Sequence, residues 1–186
     1  LDLIHFHGGY CKERNFERVP IMHGVHEVSS ARGESSAQHN PAVIVAQRST
    51  SESGGRCWGM MFMYSGNFSI RTERDQLNQM RVVMGINPNT FTWLLKPGET
   101  FTTPQAIFTM SDRGFAKLSH NFHNLISNHI VEPQFRNVPR SILINNWEAT
   151  YFDFNGQKIL DIAEKASKLG IEMMVLDDGW FGRRNH

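Results

Sequence analysis

The feature that most constrains this chain is a change of hydrophobic period at Ser111. From about residue 19 to residue 110, short runs of Val, Ile, Phe, Met and Tyr are separated by clusters of Gly, Pro, Asn and Ser, the spacing of many short strands. The pattern predicts strands at residues 19–28, 42–47, 57–64, 68–74, 80–86, 91–95 and 105–110. Phe68, Ile70 and Thr72 alternate with Ser69, Arg71 and Glu73, which gives one buried and one wet face and favours an antiparallel sandwich. Turn chemistry agrees: Ser65-Gly66-Asn67 separates two of the runs, and Lys96-Pro97-Gly98-Glu99 carries the Pro-Gly pair of a type II turn.

Beyond Ser111, the positions Phe115, Leu118, Phe122, Leu125, Ile126 and His129 recur three and four apart and predict a helix. Its expected N-cap is Ser111 or Asp112, whose side-chain oxygen would accept from an unpaired first-turn amide. Residues 131–140 contain Pro133 and Pro139 without periodicity and read as a connection. The expected division is a β-sandwich domain over residues 1–136, ending in a helical linker at about 111–136, and a second domain over residues 137–186. The second opens with an apolar run at residues 141–146. A helix over residues 156–169 then places Ile159, Ile162, Ala163, Ala166 and Leu169 on one face, with Gly170 ending it in the left-handed region. Residues 171–176 form a near-continuous apolar strand that leads into Asp177-Asp178-Gly179-Trp180. Strand, helix and strand make a βαβ unit, expected to be parallel, buried on both faces and right-handed in its crossover.

Composition narrows the function classes. The chain is 40% hydrophobic and 20% charged, the profile of a soluble globular chain with material for a core. Nineteen Lys and Arg against 18 Asp and Glu leave a net charge of +1, so no overall field draws in nucleic acid or an anionic membrane. Cys11 and Cys57 are too few for a disulfide framework, which favours a reducing, cytoplasmic compartment. No run of about 18 apolar residues is present to span a membrane. The start at Leu1 and the finish at Arg183-Arg184-Asn185-His186, after a strand with no closing helix, read as cut ends.

In parallel α/β folds, ligands gather at the carboxyl ends of strands. The first strand of the βαβ unit ends in Asn145-Asn146-Trp147-Glu148 and the second in Asp177-Asp178-Gly179-Trp180. Each brings amide or carboxylate groups beside a large aromatic. That mixture suits a sugar, whose hydroxyls need several hydrogen-bond partners and whose C–H face lies on an aromatic ring. Bland readings stand beside this one: an Asp pair before Gly also ends a strand and caps the next helix, and tryptophan is more often core than site. An apolar strand ending in two carboxylates is costly, however, unless the carboxylates find partners.

The nine histidines show no metal-ligand spacing, although His120 and His123 stand one helical turn apart, and no metal is expected. Cys57 lies in an apolar strand with Met60, Met61, Phe62 and Met63 and reads as core rather than nucleophile.

The run Asn145-Asn146-Trp147-Glu148-Ala149-Thr150-Tyr151-Phe152-Asp153-Phe154, followed by Val175-Leu176-Asp177-Asp178-Gly179-Trp180-Phe181, resembles the start of the catalytic barrel in α-galactosidases of glycoside hydrolase family 36. Upstream, Arg32-Gly33 with Ser35-Ser36, Gln38-His39-Asn40-Pro41, Tyr64-Ser65-Gly66-Asn67-Phe68 and Gly85-Ile86-Asn87-Pro88 resemble that family's N-terminal β-sandwich. The resemblance implies an antiparallel β-sandwich followed by the first βαβ unit of a truncated (β/α)8 barrel. It implies hydrolysis of terminal α-linked galactose, as in melibiose and raffinose, with retention and without a cofactor. Asp177 and Asp178 would hold hydroxyls of the galactose, Trp147 would shape the pocket, and Trp180 would adjoin it. The nucleophile and the acid/base, both aspartates in the family, would lie beyond His186, leaving this piece inactive alone. A homo-oligomer, a tetramer in many members, is implied in the same way. The related alternatives are an α-N-acetylgalactosaminidase or a raffinose-synthase-like glycosyl transfer, and the distant one is a non-enzymatic carbohydrate-binding sandwich.

Overall fold

The computed structural model describes residues 1–89 and 91–182, so the run from Arg183 to His186 lies outside the described residues. The chain forms two compact units, Leu1–Ile130 and the residues from Val131 onward.

The first unit contains strands β1 (Asp2–His7), β2 (Asn15–Pro20), β3 (Gly24–Ser30), β4 (His39–Ala46), β5 (Cys57–Phe62), β6 (Phe68–Arg74), β7 (Met80–Ile86) and β8 (Ala106–Ser111). Helix α1 (Gly114–Leu125) follows and runs into a π-helical turn, Ile126–Ile130. Five strands in the order β2-β1-β4-β5-β8 make one antiparallel sheet, and β3-β6-β7 make a second. Leu3, Val43, Val45 and Phe62 of the larger sheet share a core with Val28, Phe68 and Ile70 of the smaller, which is a two-layer sandwich.

The other face of the larger sheet is covered as well. Ile4, Ala46 and Cys57 pack with Leu118 and Phe122 of α1. The second half of β4, Val43-Ile44-Val45-Ala46, is therefore apolar at every position, because successive side chains enter two different cores. Gly59 in β5 makes room for the helix, since a Cβ there would lie 2.6 Å from Phe122 Cε2 and 3.1 Å from Leu118 Cδ2.

Several expectations are corrected. The predicted strand at 19–28 is two strands, β2 and β3, because the buried Ile21 carries the apolar run across the turn between them. Strand β1, in the interior of the larger sheet, was not anticipated, as His5 and His7 interrupt its apolar pattern. Residues 91–95 form no strand; Phe91 and Trp93 pack instead on Phe101, with ring centroids 5.8 and 5.0 Å apart. Neither Ser111 nor Asp112 caps α1. Ser111 closes β8, and the first-turn amides of Gly114, Phe115 and Ala116 donate to the carbonyls of Gly55, Ser51 and Glu52 at 2.9, 3.1 and 3.0 Å. The turn at 96–99 has the expected form, with Gly98 at φ +83° and Glu99 N donating to Lys96 O at 3.0 Å.

The second unit holds a 3₁₀ turn (Pro133–Phe135), β9 (Leu143–Asn145), a short helix α2 (Trp147–Thr150), α3 (Gly156–Lys168) and β10 (Met173–Val175). Strands β9 and β10 pair in parallel around α3, a βαβ arrangement. Asn155 caps α3 by accepting from Lys158 N at 3.0 Å, and Gly170 ends it at φ +82°. Ala166 is buried and Ile159, Ile162 and Ala163 half-buried, but Leu169 is 81% exposed, because the chain has left the helical register there. Burial of the strands on both faces is also not found: Ile142, Leu143, Met173 and Leu176 are all exposed. Two three-residue strands and one helix leave too few partners to cover them.

Candidate functional site

The parallel register sets Asn145 beside Val175, so the residues leaving the two strands emerge side by side. Asn146 is fully buried and ties the two exits together. Its Oδ1 accepts from the backbone N–H of Asp177 at 2.8 Å, and its Nδ2 donates to Thr150 Oγ1 at 2.8 Å. The Thr150 hydroxyl returns a bond to Asn146 O at 3.1 Å, and Asn146 N donates to Val175 O at 3.3 Å. All the polar atoms of this buried amide are thereby engaged, as burial requires.

Asn145 does for side chains what Asn146 does for the backbone. Its Nδ2 donates to Asp177 Oδ2 at 2.6 Å, and its Oδ1 accepts from Trp147 N at 2.7 Å, the first residue of α2. The other Asp177 oxygen, Oδ1, accepts from Asp178 N at 2.8 Å. The Asn145 amide first, and the Asp178 backbone N–H second, hold the Asp177 carboxyl below the usual carboxylate range. Asp178 is exposed, and its carboxylate makes no hydrogen bond to the described residues.

Trp147 is half-buried, with its ring edge-on to Tyr151 at 5.2 Å and to Phe152 at 4.9 Å. Tyr151 turns the chain out of α2 at φ +46°, a region where a non-glycine residue is strained. Gly179 stands at φ +95°, where a Cβ would lie 3.0 Å from Phe154 Cε1 and 3.3 Å from Phe152 Cδ1. Phe152 thus touches both Trp147 and the loop that follows β10. Trp180 is 61% exposed and meets Phe181 edge-on at 5.8 Å.

The structure therefore brings Asp177 and Asp178 together with Asn145, and joins the Trp147 turn to the Gly179 loop through Phe152. Trp180 stands on that same loop. Two carboxylates, one oriented and one open, lie at a strand exit whose flanking turns carry Trp147 and Trp180, an arrangement able to accept hydrogen bonds from neighbouring hydroxyls. The roles of Asn145, Asn146, Thr150 and Phe152 did not emerge from the sequence reading. The available signal was the Asn-Asn pair itself, since consecutive residues at a strand end point to opposite faces and can tie two different groups.

Elsewhere, Cys57 is buried among apolar side chains, which raise its thiol, as expected of a core cysteine. His120 and His123 do meet on α1, with ring centroids 6.2 Å apart. No helix among the described residues is long and apolar enough to cross a membrane.

Comparison with known proteins agrees with these features. The family model described as glycosyl hydrolase family 36 N-terminal domain matches residues 1–96, and the one described as melibiase matches residues 100–186. The chain is 50% identical over 184 residues to the bifunctional α-galactosidase/sucrose kinase AgaSK of Mediterraneibacter gnavus, covering 99% of this chain and 20% of that protein. It is 49% identical to α-galactosidase AgaA of Geobacillus stearothermophilus, of which it covers 25%. The crystal structure of AgaA superposes on the whole chain with a TM-score of 0.94 and is 26% covered by it. Variants of that enzyme were solved in complex with raffinose and with stachyose. The chain thus spans a quarter or less of these relatives' length. Matching family models cover both units, and the chain belongs to glycoside hydrolase family 36.

Proposed function

We propose that the full-length protein carrying this chain hydrolyses terminal, non-reducing α-D-galactose from α-galactosides of the melibiose and raffinose type, with retention of configuration. Residues 1–136 form the sandwich domain with its helical linker, and residues 137–186 open a (β/α)8 catalytic barrel. The observation that carries the reading is the joined strand exit, where Asn145 links the Asp177 carboxylate to the turn bearing Trp147. Strand exits are where a barrel places its ligand. That relatives of this chain were solved with raffinose and stachyose supports the substrate class.

In this reading Asp177 and Asp178 accept hydrogen bonds from galactose hydroxyls, and Trp147 and Trp180 offer apolar surface to the ring. Retention needs two carboxyl groups about 5–5.5 Å apart on either side of the glycosidic bond. Adjacent residues at one strand end do not flank a bond in that way. Asp177 and Asp178 therefore bind, and the nucleophile and acid/base come from later strands, beyond His186. No cofactor is needed for this chemistry. The two free cysteines support a cytoplasmic location, and the family resemblance supports a homo-oligomer, a tetramer in many members.

The test is hydrolysis of melibiose and a nitrophenyl α-galactoside by the full-length protein. Asp178→Ala is expected to lower kcat/KM at least about tenfold, the scale of one lost charge-assisted hydrogen bond. External azide should not restore it, since rescue belongs to a missing nucleophile. The isolated chain should show no turnover. Turnover by the isolated chain, or an unchanged kcat/KM in Asp178→Ala, would overturn the proposal.

A further inference from the structure

We infer that Asn145 is a positioning residue for the sugar site: its amide fixes the orientation of the Asp177 carboxylate and couples it to the turn that carries Trp147. The inference rests on the binding role proposed for Asp177 and names a residue that acts through it.

Asn145 is the last residue of β9, and its side chain crosses to the next strand exit. Its two contacts determine each other. Only the amide nitrogen donates to the Asp177 carboxylate, and only the amide oxygen accepts from the Trp147 N–H, so one rotamer and one amide orientation satisfy both. Neither partner tolerates the flipped amide. Asp177 in turn receives one donor on each oxygen, Asn145 Nδ2 on Oδ2 at 2.6 Å and Asp178 N on Oδ1 at 2.8 Å. A carboxylate oxygen has a second acceptor direction, so both oxygens remain able to take a hydroxyl, now in directions set by the first two bonds. Burial opposes ionisation of Asp177, and the Asn145 bond is the leading cause that holds its carboxyl below the usual carboxylate range in spite of it. A freely rotating carboxylate would lose part of its hydrogen-bond energy in ordering on sugar binding; a preset one does not.

The experiment uses the full-length protein and measures the Kd for galactose against pH in wild type, Asn145→Ala, Asn145→Asp and Asp177→Ala. Asn145→Ala should weaken binding about tenfold at neutral pH, the scale of one hydrogen bond to a charged group. The weakening of affinity toward acid should also begin at a higher pH, because Asp177 then titrates nearer an ordinary carboxyl. Asn145→Asp should be worse than Asn145→Ala, since it sets two carboxylates at hydrogen-bond distance. A merely structural residue would lower the fraction of protein able to bind without moving that acid limb. If Asn145→Ala keeps wild-type affinity and acid limb while Asp177→Ala abolishes binding, the inference is overturned and the proposed function stands. If Asp177→Ala binds galactose as wild type does, the proposed function itself fails. Should Asn145→Ala not fold, carbon NMR titration of the wild-type Asp177 carboxyl decides. A midpoint below the ordinary aspartate value supports the inference, and one at or above it overturns it.

Discussion

Arg18 of β2 meets the buried carboxylate of Asp2 on β1, Nε to Oδ2 at 2.7 Å, on the face of the larger sheet that α1 covers. The same guanidinium donates through Nη1 to Thr50 O and through Nη2 to Gln47 O and Arg48 O, each at 2.9 Å. Phe115 of α1 lies under it, 5.8 Å from Cζ to ring centroid. One side chain therefore fastens an edge strand to the loop after β4 and to the helix.

Removing Arg18 takes the hydrogen-bond donor from a buried carboxylate, which among the described residues keeps only Arg48 at 3.7 Å, and takes a donor from three carbonyls, of which Gln47 O still accepts from Thr50 N at 2.9 Å. Arg18→Ala should cost about 1–3 kcal/mol, in the range for losing hydrogen bonds to a charged group in a partly buried network. Arg18→Lys should recover little of it, since an ammonium does not reproduce a planar fork that serves a carboxylate and three carbonyls together. The measurement is the denaturation midpoint of the three proteins. Equal midpoints for Arg18→Lys and wild type would refute the account.

Gly114 should not tolerate a side chain. It stands at φ +77°, and a Cβ there would lie 2.5 Å from Ser51 O and Gly54 N and 2.6 Å from Glu52 O. These backbone atoms belong to the loop whose carbonyls receive the first amides of α1, so the loop has no room to retreat without uncapping the helix. Gly114→Ala should destabilise the chain by about 2–4 kcal/mol through left-handed strain and overpacking together. Amide exchange at Phe115 and Ala116 should accelerate most. An unchanged melting temperature in Gly114→Ala would show that the loop gives way freely.

Legibility in the sequence followed locality. Strands β6 and β7 match their predicted ranges of 68–74 and 80–86, since alternation and the turns beside them lie within a few residues. Strand β1 was illegible because, on the face turned to the smaller sheet, Leu3 is followed by His5 and His7, polar residues that break the apolar alternation and are only half-buried. The helix α1 was legible from Leu118 and Phe122, but its cap was not, because the carbonyls that cap it belong to residues 51–55. The same limit governs the site. Asp177-Asp178 marks a strand exit, yet nothing local says that the two differ. The difference comes from Asn145, 32 residues earlier in the chain.

Acid should loosen the sandwich in the range where imidazoles titrate, before the carboxylates do. His5 on β1 faces Glu17 of β2, His26 of β3, His7 of its own strand and His39 of β4, and its Nδ1 is buried without a hydrogen-bond partner among the described residues. Its Nε2 lies 4.0 Å from Glu17 Oε2, and its ring centroid is 5.6 Å from that of His26. Burial, first, and the neighbouring histidines hold His5 below the ordinary imidazole value, against the pull of Glu17. His39 is lowered too, by burial first, then Arg32 and His7. A group depressed in the folded state gives stability that is present above its unfolded pKa, about 6.5 for histidine, and lost as pH falls toward the folded value. Stability should therefore begin to fall below about pH 6.5. His5→Phe should shrink that loss, and Glu17→Gln should deepen it, because the one group favouring protonated His5 is gone. Melting curves of the three proteins between pH 7.5 and 5 test this. An identical pH dependence in His5→Phe and wild type would rule the cluster out as the cause.

The second unit should open more readily than the first, with Asn146 governing how readily. Strands β9 and β10 pair over three residues each and leave Leu143 and Met173 exposed, whereas β4 and β5 lie inside a sheet whose two faces are covered. Local opening free energy follows buried contacts and protected hydrogen bonds, so amides of residues 143–177 should exchange faster than those of residues 57–111. Within the second unit, the fully buried Asn146 side chain holds Asp177 N and Thr150 Oγ1 at 2.8 Å each. Asn146→Ala strips a partner from both and should cost about 1–3 kcal/mol, all of it local to this unit. The amide of Asp177 should then lose its protection, while β4, β5 and α1 keep theirs. Hydrogen exchange resolved by residue reads both parts: equal protection across 57–111 and 143–177 in the wild-type chain would defeat the first, and an unaltered Asp177 amide in Asn146→Ala the second.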